Sequence, residues 1–231
     1  MKKLTLAVAI CLGLAACKTT GPVDNRFSHR WQWLGYLAGD DIRELCGLGS
    51  QDRLRLIYNA DFNKETRTYD FVASSGGGAD LTSQRWVGSA SILITGGNIN
   101  DGIDAQSAVA RVDASGMAEL VGLLDYSDFY GPPPVGTTLR SDDFFWSGVA
   151  CLDGEFHIQA YPRTKLNQVE FAGFLEIHDP LRVPLPPVVL KDLPALSALR
   201  QQGSFDNSDL PGALYYAAEV TEQAISGRWL N

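Results

Sequence analysis

The chain has 231 residues, 27 of them acidic and 19 basic, a formal net charge of −8 at neutral pH, and a hydrophobic fraction of 45%. That length and composition suit one sizeable core and are too apolar for a disordered chain. The acidic balance repels phosphate backbones, which excludes nucleic acid as a partner.

Met1-Lys2-Lys3 is a positively charged start, and Leu4 to Leu14 is an apolar run with one glycine. The run is of signal-peptide length and short of the ~20 apolar residues a membrane span needs. Leu14-Ala15-Ala16-Cys17 follows. This segment resembles the signal peptide and lipobox of bacterial lipoproteins, over residues 1 to about 20 only; the rest of the chain carries no family resemblance. The resemblance implies cleavage before Cys17 and acylation of that cysteine. Several acyl chains then hold the protein on the membrane, each buried methylene contributing ~0.8 kcal/mol. Lys18 stands where an aspartate retains lipoproteins at the inner membrane, so the resemblance implies an outer-membrane anchor, facing the periplasm. Without Lys2 and Lys3, 17 basic residues face 27 acidic ones, a net charge of −10, so acyl chains rather than surface charge are expected to provide the attachment. The expected organisation is a signal peptide over 1–16, a lipidated cysteine and flexible tether over 17–26, and one globular domain over 27–231.

The cysteines divide by role. Cys11 leaves with the signal peptide and Cys17 carries lipid, which leaves Cys46 and Cys151. An oxidising periplasm favours their pairing, and a loop of about 100 residues closed that way is worth ~4–5 kcal/mol in the chain-entropy account. The alternative is two separate buried thiols.

Asp40 to Cys46 reads as one or two helical turns capped by Asp40 or Asp41. Arg53 to Tyr58 alternates, with Leu54, Leu56 and Tyr58 on one face, and Thr66 to Val72 is rich in β-formers. Asn59 to Glu65 joins them into a hairpin, and Ser75-Gly76-Gly77-Gly78 is a turn. Arg85 to Thr95 is a further strand, buried on both faces at Ile92-Leu93-Ile94. Ala114 to Tyr126 reads as a helix, with Met117, Leu120, Val121 and Leu124 on one stripe. Phe144 to Tyr161 reads as a hairpin turning at Asp153-Gly154, a type I′ signature. That turn pairs Leu152 with Glu155 and Cys151 with Phe156. It puts Phe145, Val149, Cys151, Ile158 and Ala160 on an apolar face and Trp146, His157, Gln159 and Tyr161 on a mixed one. Gln168 to Ile177 is expected as the next strand. Asp179 to Pro194, with five prolines, is an extended covering segment. Asp209-Leu210-Pro211 is expected to open a C-terminal helix with Leu214, Ala217, Ala218 and Ile225 on its stripe and Gly227 at its end. The fold class that follows is α+β: a mainly antiparallel sheet of hairpins, sandwich- or barrel-like, with a few packed helices including the C-terminal one.

No catalytic fingerprint is present, neither a nucleophile elbow, nor a His-Glu-x-x-His, nor a phosphate loop. If the strands after the hairpin pair in register, His157, Glu176 and His178 converge as metal ligands or an acid–base group; the plainer alternative is three solvated residues on an outward face. Asn98, Asn100, Asp101 and Asp104 around Gly102 offer oxygens to calcium but lack the EF-hand spacing, and read more simply as a polar turn. Trp31, Trp33 and Tyr36, and Tyr126, Phe129 and Tyr130, form either a binding groove or ordinary packing. Taken together, the residues favour a non-enzymatic interaction or structural module of the cell envelope, with no cofactor, held to the membrane through Cys17 and partnered by another envelope protein. The alternatives are a small-ligand or envelope-polymer binding protein, or an enzyme acting on envelope material.

Overall fold

The computed structural model describes residues 33–88, 106–202 and 215–230. The signal segment, Cys17, the tether to residue 26 and the domain start at 27–32 lie outside them. So do Ile92-Leu93-Ile94, the Asn98–Asp104 cluster and residues 209–214.

Helical residues 33–38 (α1) lead through Gly39 into α2 (Asp40–Leu45). Strands β1 (Arg53–Ala60), β2 (Glu65–Ala73), β3 (Ala79–Val87) and β4 (Gln106–Val112) follow, then α3 (Ala114–Tyr126). The short β5 (Thr138–Arg140) precedes the hairpin β6 (Phe144–Leu152) and β7 (Glu155–Pro162). A 3-10 helix (Arg163–Gln168), α4 (Ala172–His178), α5 (Leu196–Gln202), β8 (Tyr216–Val220) and β9 (Ile225–Trp229) complete the described chain. All strand pairs are antiparallel. One sheet runs β4-β3-β2-β1-β6-β7 and a second runs β5-β8-β9. The fold is α+β and dominated by sheet.

Both hairpins form as the turn chemistry requires. Leu152 pairs with Glu155 and Cys151 with Phe156. Asp153 and Gly154 both take positive φ, 51° and 81°, as a type I′ turn demands. The Asp153 amide also donates to Asp52 Oδ1 at 2.9 Å. A Cβ on Gly154 would lie 2.8 Å from the backbone of Gly47, so this turn is seated against the loop after α2. β1 pairs with β2 on one side and with β6 on the other, which makes it an inner strand of the sheet.

Alternation along these strands feeds two cores. Leu54, Leu56, Tyr58, Tyr69, Phe71, Trp146, Ala150 and Tyr161 face α3, α4 and Phe129. Ile57, Phe145, Val149, Cys151, Ile158 and Ala160 face α1, Ile42 of α2 and the small sheet. The face expected to be mixed is therefore a core face. α3 covers it with Leu120 and Leu124, while Val121 stays exposed at the stripe's margin. Asp113 caps α3, its Oδ1 accepting from the Gly116 amide at 2.8 Å.

Four expectations need correction. Gln168 to Ile177 is not a strand: Phe171, Phe174 and Leu175 are spaced i, i+3, i+4, and they bury one face of α4 instead. The C-terminal helix is absent over residues 216–229. Tyr216, Ala218 and Val220 alternate inward on β8, and Ile225 opens β9. Ala217 and Ala218 fit a helical stripe as readily as a strand, and pairing with β5 and the second core decided between them. Gly227 does not end a helix; on β9 its missing side chain makes room for Leu34, whose Cδ2 lies 2.4 Å from where a Cβ would be. The cap of α2 is Gly39, at φ 68°, with Asp40 and Asp41 in the first turn. Finally, β3 begins at Ala79, directly after the glycine turn, rather than at Arg85.

Cys46 and Cys151 form a disulfide across 105 residues, their Cα atoms 5.5 Å apart. It ties the end of α2 to β6, beside the central strand. Replacing Cys46 with alanine is expected to lower unfolding free energy in urea by about 3–5 kcal/mol without loss of the sheet signal in circular dichroism. Reducing the wild-type protein should reproduce that loss, and reduction of the variant should add nothing.

Candidate functional site

Among the described residues, a heavily built polar centre lies where residues 180–194 cross the sheet without regular structure. Arg67 of β2 sits on the apolar face opposite Tyr58 and is only 1% exposed. A buried guanidinium is costly unless every donor is used. Its Nε donates to Glu65 Oε1 at 2.8 Å, and Nη1 to Asp179 Oδ2 at 3.0 Å and to the Val183 carbonyl. Nη2 donates to the Pro184 carbonyl at 3.0 Å. Tyr69 adds its hydroxyl to Asp179 Oδ2, and Arg85 reaches Glu65 Oε2 at 2.7 Å. Proline has no amide to donate, so a proline-rich crossing segment is held largely through its carbonyls and side chains. Arg67 and the Tyr58 hydroxyl, which donates to the Pro186 carbonyl at 3.0 Å, supply those donors. Burial pushes the Tyr58 phenol up to about 12, with the charges of Glu65 and Glu176 acting the same way.

A second centre holds α1 and α2 on the opposite face. Arg55, 2% exposed, is bidentate to Asp41 at 2.8 and 2.9 Å and donates through Nε to Asp70 Oδ1 at 2.9 Å. Its guanidinium carbon lies 3.5 Å from the centre of the Tyr36 ring. The Tyr36 hydroxyl donates to Asp70 Oδ2. Burial and the Asp70 carboxylate hold that phenol above its ordinary value. Burial opposes ionisation of Asp41, but the Arg55 hydrogen bonds outweigh it and draw the carboxyl below its ordinary value of 3.8.

The residues singled out from sequence go to separate places. His157 is half-buried on β7 against the edge of the Tyr130 ring. His178 ends α4, stacked 3.9 Å from Phe174, with Nδ1 at 3.0 Å from the Phe174 carbonyl. Glu176 points to the crossing segment and accepts from the Leu185 amide at 3.0 Å. The convergence of these three needed a strand at 168–177; the helix that forms instead gives His178 and Glu176 structural partners of their own. Among the described residues there is no cluster of three or more His, Cys, Asp or Glu suited to a metal. Trp33 and Phe129 are core, Tyr36 lies over Arg55, and Tyr126 is exposed; Trp31 lies outside the described residues. They form packing rather than a shared groove.

An open groove of about 590 Å³ runs beside the crossing segment, lined by Arg163, Thr164, Leu190, Lys191 and Asp192. Arg163 donates to the Lys191 carbonyl at 2.9 Å, and the Lys191 ammonium reaches Asp61 Oδ2 at 2.8 Å. Neither these residues nor the two buried arginines belong to a recognisable motif in the sequence. For Arg67 a signal existed: the hairpin places it opposite Tyr58, on the face of Leu54 and Leu56. No protein-family model, curated protein or solved structure matches this chain.

Two outcomes follow. Asp179→Ala leaves the Arg67 charge buried and short of its partner, and should cost about 3 kcal/mol in urea unfolding. Limited proteolysis should then cut within 181–194 well before it cuts the sheet. Asp41 binds its proton less readily folded than unfolded. Its contribution is complete above the unfolded value and is lost as pH falls through the lower folded value. Asp41→Asn should therefore weaken the protein near neutrality and flatten the loss of stability below pH 3.8, as read from urea midpoints across that range.

Proposed function

We propose that this chain is a lipid-anchored protein of the bacterial envelope. It is held through acylated Cys17 at the outer membrane, faces the periplasm, and serves as a non-enzymatic interaction or structural module. The observation that carries the reading is the run from Met1-Lys2-Lys3 through the apolar Leu4–Leu14 to Leu14-Ala15-Ala16-Cys17. A thiol after two small residues, at the end of a run too short to span a bilayer, suits lipidation and cleavage. The Cys46–Cys151 disulfide supports an oxidising compartment, since such bridges are rare where thiols are kept reduced. Among the described residues no helix is long and apolar enough to cross a membrane.

The module reading is supported by how the polar groups are used. Arg55, Arg67, Asp41, Asp70 and Asp179 are spent on joining covering segments to the sheet. His178 and Glu176 are engaged by neighbouring backbone. Such a molecule presents a rigid, covalently braced surface rather than a reactive cleft.

Cys17→Ser tests the anchor. The variant should accumulate as the unprocessed precursor and take up no palmitate, whereas the wild-type chain should be labelled and start at Cys17. A variant that is still cleaved after Ala16 and still labelled would overturn the lipoprotein reading.

A further inference from the structure

Leu45 and Leu48, and Val188-Val189-Leu190, bring exposed apolar side chains close together in sequence, and their charge surroundings differ; Val109, Tyr126 and Ile177 are exposed elsewhere. Leu48, 99% exposed, projects from the loop braced by the disulfide, with Leu45 nearby. The charged side chains beside it include exposed carboxylates, Glu44 on α2 and Asp153 and Glu155 at the hairpin turn. The other place is Val188-Val189-Leu190, where three consecutive apolar side chains are 43, 56 and 78% exposed. This run is not a slack loop. Tyr58 holds the carbonyl of Pro186 just before it, and Arg163 and Asp61 hold the carbonyl and ammonium of Lys191 just after it.

The charges beside the second run are sorted by depth. Lys64 is well exposed at its tip, and both it and Lys191 pair with Asp61, whose side chain is only 8% exposed. Arg163 pairs with Asp143, which is also mostly buried. Lys165 is exposed on the same 3-10 helix, and Asp192 is the exposed carboxylate of the groove. Around this exposed apolar run the basic groups therefore stand further out than the carboxylates they pair with, while Asp192 and Glu176, which accepts from the Leu185 amide, are the exposed acids. Three aliphatic side chains bordered by lysine and arginine match the layering of a lipid interface, with acyl chains below and phosphates at the rim.

We propose that Pro187–Leu190 is a lipid-facing wedge. It seats the domain on a phospholipid surface, with Val188, Val189 and Leu190 at the acyl boundary and Arg163, Lys165 and Lys191 at the headgroup phosphates. The physiological role rests on the lipoprotein reading above. An acyl anchor at Cys17 sets the distance of the domain from the membrane but not its orientation. Fifteen residues lie between Cys17 and Trp33 in the sequence, and the anchor by itself leaves open which face turns toward the bilayer. The wedge chooses the face. Leu48 is unsuited to the same role, because its carboxylate neighbours oppose anionic headgroups.

The experiment uses the full chain, expressed with its own leader, purified, and mixed with vesicles of phosphatidylethanolamine and phosphatidylglycerol containing a photoactivatable phosphatidylethanolamine. Mass spectrometry locates the lipid adducts after illumination and separately reads whether Cys17 is acylated. Adducts should centre on residues 187–191, fall when phosphatidylcholine replaces the host lipids at the same content of photoactivatable lipid, and drop about ten-fold in a Val188→Asp, Leu190→Asp double variant. Leu48→Asp should leave them unchanged. Leu190→Ser, at a position with little to lose on folding, should lower them about three-fold if the double variant misfolds. Adducts absent from this segment, or insensitive to both strap variants, overturn the wedge whether or not Cys17 is acylated. A missing acyl group with adducts in place overturns only the lipoprotein reading. Self-association through Val188–Leu190, seen by light scattering and without adducts, would assign the surface to a second copy instead.

Discussion

Strand β1 is buried along seven of its eight residues, on both faces, and the architecture answers to that constraint. A strand inside an antiparallel sheet commonly keeps one wet face. Here Leu54, Leu56 and Tyr58 face one core, and Arg55, Ile57 and Asn59 lie on the other side. Each face therefore needs its own cover. α3, α4 and the proline-rich strap supply one, and α1, α2 and the small sheet supply the other.

Double burial also explains the two arginine centres. Where covers meet the sheet, backbone polar groups of irregular segments come out of water and need partners. Arg67 makes four hydrogen bonds from one point, to two carboxylates and two strap carbonyls. Arg55 does the same for the segment of Asp41. A buried ion pair is weak evidence of net stability, since desolvation consumes much of the attraction. Its clearer consequence is positional: Glu65 and Asp179 meet the Arg67 charge, and the remaining donors hold the Val183 and Pro184 carbonyls of the strap. The disulfide adds a covalent version of the same fixing on the other face.

Fixing the strap has a consequence at the surface. Because Pro186 and Lys191 are tied, the aliphatic side chains between them cannot fold back into the core. They stand exposed beside the groove that Arg163 and Lys191 line. The covering role and the proposed lipid contact are two sides of one segment.

Local chemistry in the sequence determined the hairpins and α3. Asp153-Gly154 admits the positive φ of a tight turn, alternation at Leu54, Leu56 and Tyr58 selects one face, and Met117 to Leu124 keeps a helical period. Cys46 and Cys151 were open between a bridge and two separate thiols, and the fold that brings them together across 105 residues decided for the bridge. The N-terminal run likewise speaks through composition and order alone. Tertiary structure decided what periodicity left ambiguous. Short apolar segments such as Phe171–Leu175 and Tyr216–Val220 satisfy more than one period, and the surface available to bury them chose helix for the first and strand for the second. It also separated His157 from Glu176 and His178, and brought Arg67 to Asp179 across 112 residues. Long-range ion pairs leave no local trace, because the energy that selects them exists only after the chain has excluded water around both partners.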